Sequence, residues 1–591
     1  MQRRNFVKSL VSTPFALAAT SSIAADARPL QPGNLRNGVL NAMRRAVQHM
    51  DEKVSFRGGY VWAYLPDLTV TWGEMEAKRS MCWIQPPGTP TVGHAFIDAW
   101  NATGEDVFYA AAERTALALI EAQLPCGGWN YIHDFAGEES LKHWYETIGR
   151  NGWRLEEFHH HYGNATFDDA GTATTAQVLL RMYLAKRDER FRAPLYRAID
   201  FILQAQYKGG MADGGWPQRW PHFSGSTAHM PTPPGLPDGA RHGMEDGDYT
   251  PHVTWNDDVA GENVKFLLLC VMGLGETRLL PAVKRAMDCM LRMQQPAPQA
   301  GWGLQHLAAP AQNRPAGAPA GARSYEPRAL TTHTTATNIQ QLFHYFRLTG
   351  DRKYLARIPE AISWLKTCTL SEQMLAENPL LRGRTHATFI ELGSNRPRFV
   401  HRYGSNVHNG AYYTDHDHRD TPSHYSAGRT VNTDALQAEY ETLMGLPAAA
   451  VTEMHSRSPL ALTAPVALPH YFSLREVDFP DLFAGARISA PAVSEGEAGQ
   501  LIQDLGDKNY WATPLPAITN PYRGDGPRAA HAGREYMSRN VGDRYDTSPY
   551  DPRIPPDIAP YTKQDRPLGI TTSSFVSKLG KLIAFYAPEK S

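Results

Sequence analysis

The chain has few cysteines, no excess of either charge and, past its first residues, no apolar run approaching the ~20 residues that a membrane span needs. Each scarcity excludes something. The five cysteines, Cys82, Cys126, Cys270, Cys289 and Cys368, show no CxxC spacing, and their odd number argues against a disulfide framework. Cys270 and Cys289 lie in apolar helical stretches and read as buried free thiols. Lys plus Arg number 59 against 60 Asp plus Glu, so no long-range field draws the protein toward nucleic acid, and an anionic substrate needs cations arranged locally. Hydrophobic material is plentiful: 42% of 591 residues, with 10% aromatic, allows a large core and more than one domain.

The first residues read as an address. MQRRNFVKSL sets twin arginines ahead of Phe and Lys, and the mild apolar run VSTPFALAATSSIAA follows. This order resembles a bacterial twin-arginine export signal over residues 1–27, with small residues near Ala24 to Ala27 for cleavage. The expectation is a soluble monomer, periplasmic or secreted, with no membrane span.

A long-period repeat organises the rest. ATGEDVFYA, AKRDERFRA, GLGETRLLP and LTGDRKYLA each join two helical patterns, and their turn residues Gly104, Arg187, Gly275 and Gly350 are 83, 88 and 75 apart. After each turn apolar residues keep helical spacing, as in Phe191, Leu195, Ile199 and Ile202. Three hairpins close with Gln and then a Gly-Trp turn, IEAQLPCGGWNY, LQAQYKGGMADGGWPQ and LRMQQPAPQAGWGLQ, with Trp129, Trp216 and Trp302 87 and 86 apart. Helical hairpins repeated in this way bury a continuous core by stacking or ring closure, so the predicted fold is all-α, an α/α toroid over residues 28–450. Trp129 and Trp302 read as hairpin packing. DGGWPQRWPHF adds polar groups and a second ring around Trp216, which packing alone does not require, so Trp216 and Gln218 are expected to border a cleft.

Asp168 in NATFDDAGTATTAQVLL lies 19 residues before Arg187, and Asp257 in HVTWNDDVAGENVKFLL lies 18 before Gly275, so the two are assigned equivalent positions. In the next unit ARSYEPRALTTHTTATNIQQLF carries Arg323 and Glu326 just ahead of the helix. Loops entering like helices of successive hairpins share one face of a ring, so Asp168, Asp257 and Arg323 are expected to converge there. Helix capping accounts for one Asp per helix but not for acidic pairs at two equivalent positions.

FDDAGTATT, GGWPQ, VTWNDD, ARSYEP and ELGSNRPRF, in that order across about 165 to 405, resemble the stretches that mark the pectate lyases of polysaccharide lyase family 10. That family folds as an α/α toroid. The resemblance implies cleavage of α-1,4-galacturonan by calcium-assisted β-elimination, with Asp168 and Asp257 as Ca²⁺ ligands and Arg323 as the base. It also implies that Lys284, Glu326, Arg396 and Arg402 bind an acidic polysaccharide. A guanidinium is an awkward base; from the residues alone, Arg323 stabilises the negative charge that develops. The chain departs from the pattern after NRPRF, where VHRYGSN stands, and in the Ala-, Pro- and Gly-rich LAAPAQNRPAGAPAGA, an insertion expected to be a mobile loop or lid. Residues 451–591 read as an extension, Pro- and Asp-rich, ending in a helix, SSFVSKLGKLIAFYA, that is expected to dock on the toroid.

Two other classes compete. A glycoside hydrolase on the same toroid would use two of Asp168, Asp257 and Glu326 as acid and base; a noncatalytic receptor for acidic polysaccharide would need no Arg323. The His-rich EEFHHHYGN and TDHDHRD are candidate metal sites, with solvated loop as the alternative. Elimination is favoured by the mixture of carboxylates with Arg323, Arg328, Arg396 and Arg398.

Overall fold

The computed structural model describes residues 32–74, 76–145, 163–221, 241–242, 245–323, 325–403, 411–419, 421, 427–486, 491–515 and 568–587. The leader expected over 1–27 and the run His159 to His161 lie outside the described residues.

Helix α1 (Pro32–His49) is followed by four hairpins: α2 (Thr89–Thr103) with α3 (Asp106–Glu121), α4 (Gly171–Lys186) with α5 (Glu189–Ala205), α6 (Val259–Leu274) with α7 (Leu280–Met293), and α8 (Thr332–Thr349) with α9 (Ile358–Lys366). The turn residues Gly104, Arg187, Gly275 and Gly350 all take left-handed backbone, with φ of 74, 53, 75 and 69°. Each returns its N–H to the carbonyl four residues back, which closes the helix.

Burial separates two kinds of helix. α5 and α7 bury one stripe, for example Phe191, Leu195, Ile199 and Ile202, whereas α6 is buried all round from Val259 to Gly273. A helix buried on every side is surrounded by others. α2 packs on α4, α4 on α6, and the turn ahead of α6 on α8, so these form the inner ring and their hairpin partners the outer one, an α/α toroid. At each joint a Thr N–H ahead of the next inner helix donates to the carbonyl of the hairpin tryptophan: Thr166 to Trp129 at 2.7 Å, Thr254 to Trp216 at 2.9 Å and Thr331 to Trp302 at 2.8 Å. The three indoles fold back and donate to the carbonyls of Leu119, Ile202 and Met290, at 2.7, 2.8 and 3.0 Å.

The C-terminal part supplies further joints of this kind. After α10 (Glu495–Leu505) the Trp511 indole donates to the Leu501 carbonyl at 2.9 Å. Thr572, which opens α11 (Thr572–Tyr586), donates its N–H to the Trp62 carbonyl at 3.0 Å. The strand Leu568–Thr571 pairs with Ala63–Tyr64, and α11 packs on α1 and α2, so the last helix sits beside the first hairpin.

A strap over residues 466–479 crosses the far ends of the inner helices. Val466 donates to the Met272 carbonyl at 2.8 Å. Asp98 of α2, paired with Arg181 of α4 at 2.5 Å, also accepts from the Phe472 N–H at 3.0 Å, the Ser473 N–H at 2.6 Å and the Ser473 hydroxyl at 2.5 Å. Lys265 of α6 reaches Glu476 at 3.5 Å, and His344 of α8 stacks on Phe479 at 5.0 Å.

Burial lowers the pKa of His252, His306 and His344 from 6.5 to about 4. His306 is fixed as a neutral tautomer, its Nε2 accepting from the Gly303 N–H at 2.9 Å and its Nδ1 donating to the Gly317 carbonyl at 2.8 Å. In the unfolded chain these rings take up protons near 6.5, so acid favours unfolding. Their contribution is complete above pH 6.5 and is lost progressively as pH falls toward about 4. Melting temperatures measured across that interval should fall steadily; a flat profile would show that these rings do not set acid stability.

Candidate active site

The strands Ala165–Thr166 and His252–Thr254 lead to short 3-10 turns, Asp168–Ala170 and Asn256–Asp258, wedged ahead of α4 and α6. Each turn holds two consecutive side-chain-bearing residues in the left-handed region: Asp169 (φ 50°) and Ala170 (φ 58°), then Asp257 (φ 46°) and Asp258 (φ 57°). Such backbone costs about 1–2 kcal/mol per residue and collects at functional sites. The match corrects the expected register. Asp168 corresponds to Asn256 and Asp169 to Asp257, one residue away from the assignment of Asp168 to Asp257. A constant count of 19 residues back from Arg187 and from Gly275 gives this pairing. α8 lacks the extra turn. Thr172, six residues after Thr166, accepts the Trp129 N–H at 3.4 Å, whereas Thr335, four after Thr331, accepts that of Trp302 at 3.0 Å.

The acidic turns meet at the mouth of the ring. Asp168, Asp169 and Asp257 each bring one carboxylate oxygen within 4.8 Å of the others, and among the described residues this is the grouping able to hold a metal ion. The Asn256 amide bridges two of them, Nδ2 donating to Asp168 Oδ1 at 3.2 Å and to Asp257 Oδ2 at 2.9 Å. The Tyr131 hydroxyl lies 2.7 Å from Asp168 Oδ2 and 3.0 Å from Asp169 Oδ2. Gln85 donates to Asp169 Oδ2 at 2.5 Å, its own Oε1 accepting from the Trp83 indole at 3.1 Å.

Arg323 completes the cluster from the third unit. Its Nη1 donates to Asp168 Oδ2 at 3.3 Å, while Nε and Nη2 grip Glu326 at 2.9 and 2.6 Å. Asp168, Asp257 and Arg323 are therefore brought together, Asp168 and Arg323 directly and Asp257 through Asn256. All of them are buried, Arg323 at 3% exposure. The ring of Tyr325, beneath the Arg323 guanidinium at 5.3 Å, packs edge-on against Tyr412 of the strand Ala411–Asp415.

Other expected site residues lie elsewhere. Trp216 is core, 1% exposed and bonded to the Ile202 carbonyl, so no sugar reaches its face. Gln218 is fully buried and accepts from Gln305 at 2.8 Å. Glu326 is engaged through both oxygens by Arg323, which makes it the arginine's partner instead of a substrate contact. Lys284 is exposed on the outer helix α7 and has no link to the cluster. Arg396 is exposed in the turn before the strand Pro397–Tyr403; Arg402 lies in that strand, its side chain outside those described. Of the other arginines, Arg328 is paired with Asp246, and Arg398 is buried with Glu391 at 2.7 Å. Burial alone would raise the Glu391 pKa, but the Ser394 hydroxyl and the Arg398 guanidinium outweigh it and hold the group at about 2. In TDHDHRD, His416 bonds the Pro397 carbonyl at 2.8 Å and His418 bonds Glu377 at 2.8 Å, so these rings have partners within the protein.

Tyr131, Gln85 and Asn256 are site residues that sequence reasoning misses, whereas Arg219 is one of the polar groups noted beside Trp216. Tyr131 follows Trp129 by two residues as Gln218 follows Trp216, so the repeat contained the signal. Arg219 is buried, its guanidinium 4.8 Å from the centre of the Tyr131 ring. DGGWPQRW, residues 213–220, is thus a packed hairpin turn that supports the tyrosine behind the carboxylates.

The sequence model of the pectic acid lyase family matches residues 134–420. Among solved structures, an Asp-to-Ala mutant of the family 10 polysaccharide lyase from Cellvibrio cellulosa, in complex with trigalacturonic acid, is 16% identical, with 60% of this chain and 99% of that one covered and a TM-score of 0.36. A second structure of the Cellvibrio cellulosa lyase is 18% identical over 52% of this chain and 84% of that one, with a TM-score of 0.32. The GH76A α-1,6-mannanase of Salegentibacter sp. is 11% identical over 57% and 71%, with a TM-score of 0.30. No curated protein matches the chain. Residues 134–420, just under half of the chain, match the pectic acid lyase family and carry Asp168, Asp169, Asp257 and Arg323, and the protein is a polysaccharide lyase.

Proposed function

We propose that the protein cleaves α-1,4-galacturonan by calcium-assisted β-elimination, after export through its twin-arginine leader. One observation carries this reading: three successive repeat units bring Asp168, Asp169, Asp257 and Arg323 to one point. Elimination removes the C5 proton, forms the C4=C5 double bond and expels O4 with its bonding pair. That proton is poorly acidic because the neighbouring C6 carboxylate is already negative, so cations must offset the charge as it develops.

The donor set suits calcium, which takes several oxygen ligands. Asp168, Asp169 and Asp257 would hold it, and the Asn256 Oδ1, buried without a donor among the described residues, is a further oxygen at the same point. Bound there, the ion would neutralise the C6 carboxylate. Arg323 faces the same position as catalytic residue, with Glu326 setting the plane of its guanidinium. Tyr131 and Gln85 orient Asp168 and Asp169. The exposed Arg396 would bind a further substrate carboxylate.

Polygalacturonate with calcium should give products whose ultraviolet absorbance rises as the double bond forms, and a chelator should abolish the rise. New reducing ends without absorbance would identify a hydrolase instead.

A further inference from the structure

The insertion ahead of Arg323 is not the free loop that its composition suggests. Its strand Pro319–Ala320 pairs with Gln305–Leu307, and Ala311 bridges Arg314. A carboxylate from another part of the chain, that of Asp246, adds to these ties. Asp246 has a side chain 1% exposed. Its Oδ1 accepts from Arg314 Nη2 at 2.6 Å and from Arg328 Nη2, while its Oδ2 accepts from the Gly321 N–H at 2.6 Å and from Arg328 Nε at 3.1 Å.

Gly321 and Arg328 are the two ends of the turn that carries Arg323. Between them Ala322 donates to the Glu326 carbonyl at 3.0 Å and Glu326 to the Arg323 carbonyl at 2.7 Å, and the ends share in placing the turn with the Arg323–Asp168 and Tyr325–Tyr412 contacts. Asp246 grips both ends. It also stands 11 residues before Asp257, on the segment that leads through His252–Thr254 into the Asn256–Asp258 turn. One side chain thus ties the arginine-bearing loop to the segment that ends in a carboxylate of the cluster. Buried ion pairs add little net stability compared with apolar packing. What a carboxylate shared by two guanidiniums and one N–H does supply is a fixed geometry.

We propose that Asp246 is a positioning residue for elimination, holding Arg323 at its working distance from Asp168 and Asp257. The proposal rests on the assignment of Arg323 as catalytic. In Asp246→Asn the side chain keeps its shape and an acceptor for Gly321 but loses its hold on the two guanidiniums. Misplacing a reacting group by about 1 Å costs up to ~10²-fold, so kcat on polygalacturonate should fall about tenfold or more. KM and calcium affinity, measured by titration calorimetry, should stay within about twofold, because Asp246 lies outside the acidic grouping and is buried against Arg314, Gly321 and Arg328.

A folded Asp246→Asn with parental kcat overturns the proposal, as does a loss confined to KM or to calcium affinity. Should that variant fail to fold, Arg314→Gln removes one guanidinium and leaves the Arg328 pair; it should show the same split with a smaller fall in kcat, and an unchanged kcat overturns the proposal. Arg323→Ala measured alongside separates the two levels. Parental turnover there removes the basis of the proposal together with the role of Arg323. An inactive Arg323→Ala beside a fully active Asp246→Asn removes the positioning role alone.

Discussion

Arg323→Ala is expected to lower turnover on polygalacturonate by on the order of 10³-fold, the range seen when a positioned proton-transfer group or charge-stabilising donor is removed. The structure puts that guanidinium 3.3 Å from Asp168 and in a two-point grip on Glu326. Removing it leaves two buried carboxylates without their cation, which costs about 3–5 kcal/mol in stability. Arg323→Lys separates catalysis from folding, since it keeps the charge but cannot reproduce the planar two-point contact. It should melt closer to the parent and still lose about 100-fold or more in kcat. Turnover within about tenfold of the parent in a folded Arg323→Ala would show that the arginine is not catalytic.

The second large effect concerns the end of the chain. Cutting after residue 450 keeps the whole stretch that matches the family, yet the product is expected not to fold. It lacks α11, whose Phe575, Leu579, Leu582 and Ile583 are buried against α1 and α2. At about 1.5–3 kcal/mol for each such side chain, their loss alone approaches the ~5–15 kcal/mol by which domains are stable. It also lacks the strap, so Asp98 and Arg181 lose the Phe472, Ser473 and His470 partners that satisfy a buried pair. Circular dichroism and thermal melts of the shortened chain should show no cooperative transition. A soluble product melting within a few degrees of the full chain would mean that residues 451–591 are an ornament on a self-sufficient ring.

Much of this was legible in the chain because helices announce their ends locally. Gly104, Gly275 and Gly350 stand where only left-handed backbone closes a helix, and Arg187 betrays itself by position in the same series. The convergence of Asp168, Asp257 and Arg323 follows from repeat equivalence alone. Acidic identity places the register one residue off, because equivalence is fixed by distance from the turn, and at that distance stands Asn256. Trp216 misled through its polar neighbours: Gln218 and Arg219 are polar yet buried, serving Gln305 and Tyr131. The Ala- and Pro-rich insertion carries no sign of Asp246, because an ion pair between distant segments leaves no local pattern. The same holds for α11, whose partner Trp62 is 510 residues away from Thr572.

The joints of the ring come in two versions. The one before α8 passes straight from strand to helix, whereas those before α4 and α6 spend two additional residues on a kinked turn without displacing the helix that follows. The acidic corner is therefore carried by two of these joints and left out of the third. Within one ring, carboxylates are thus placed at some units and omitted from their neighbour while the inner helices keep their packing.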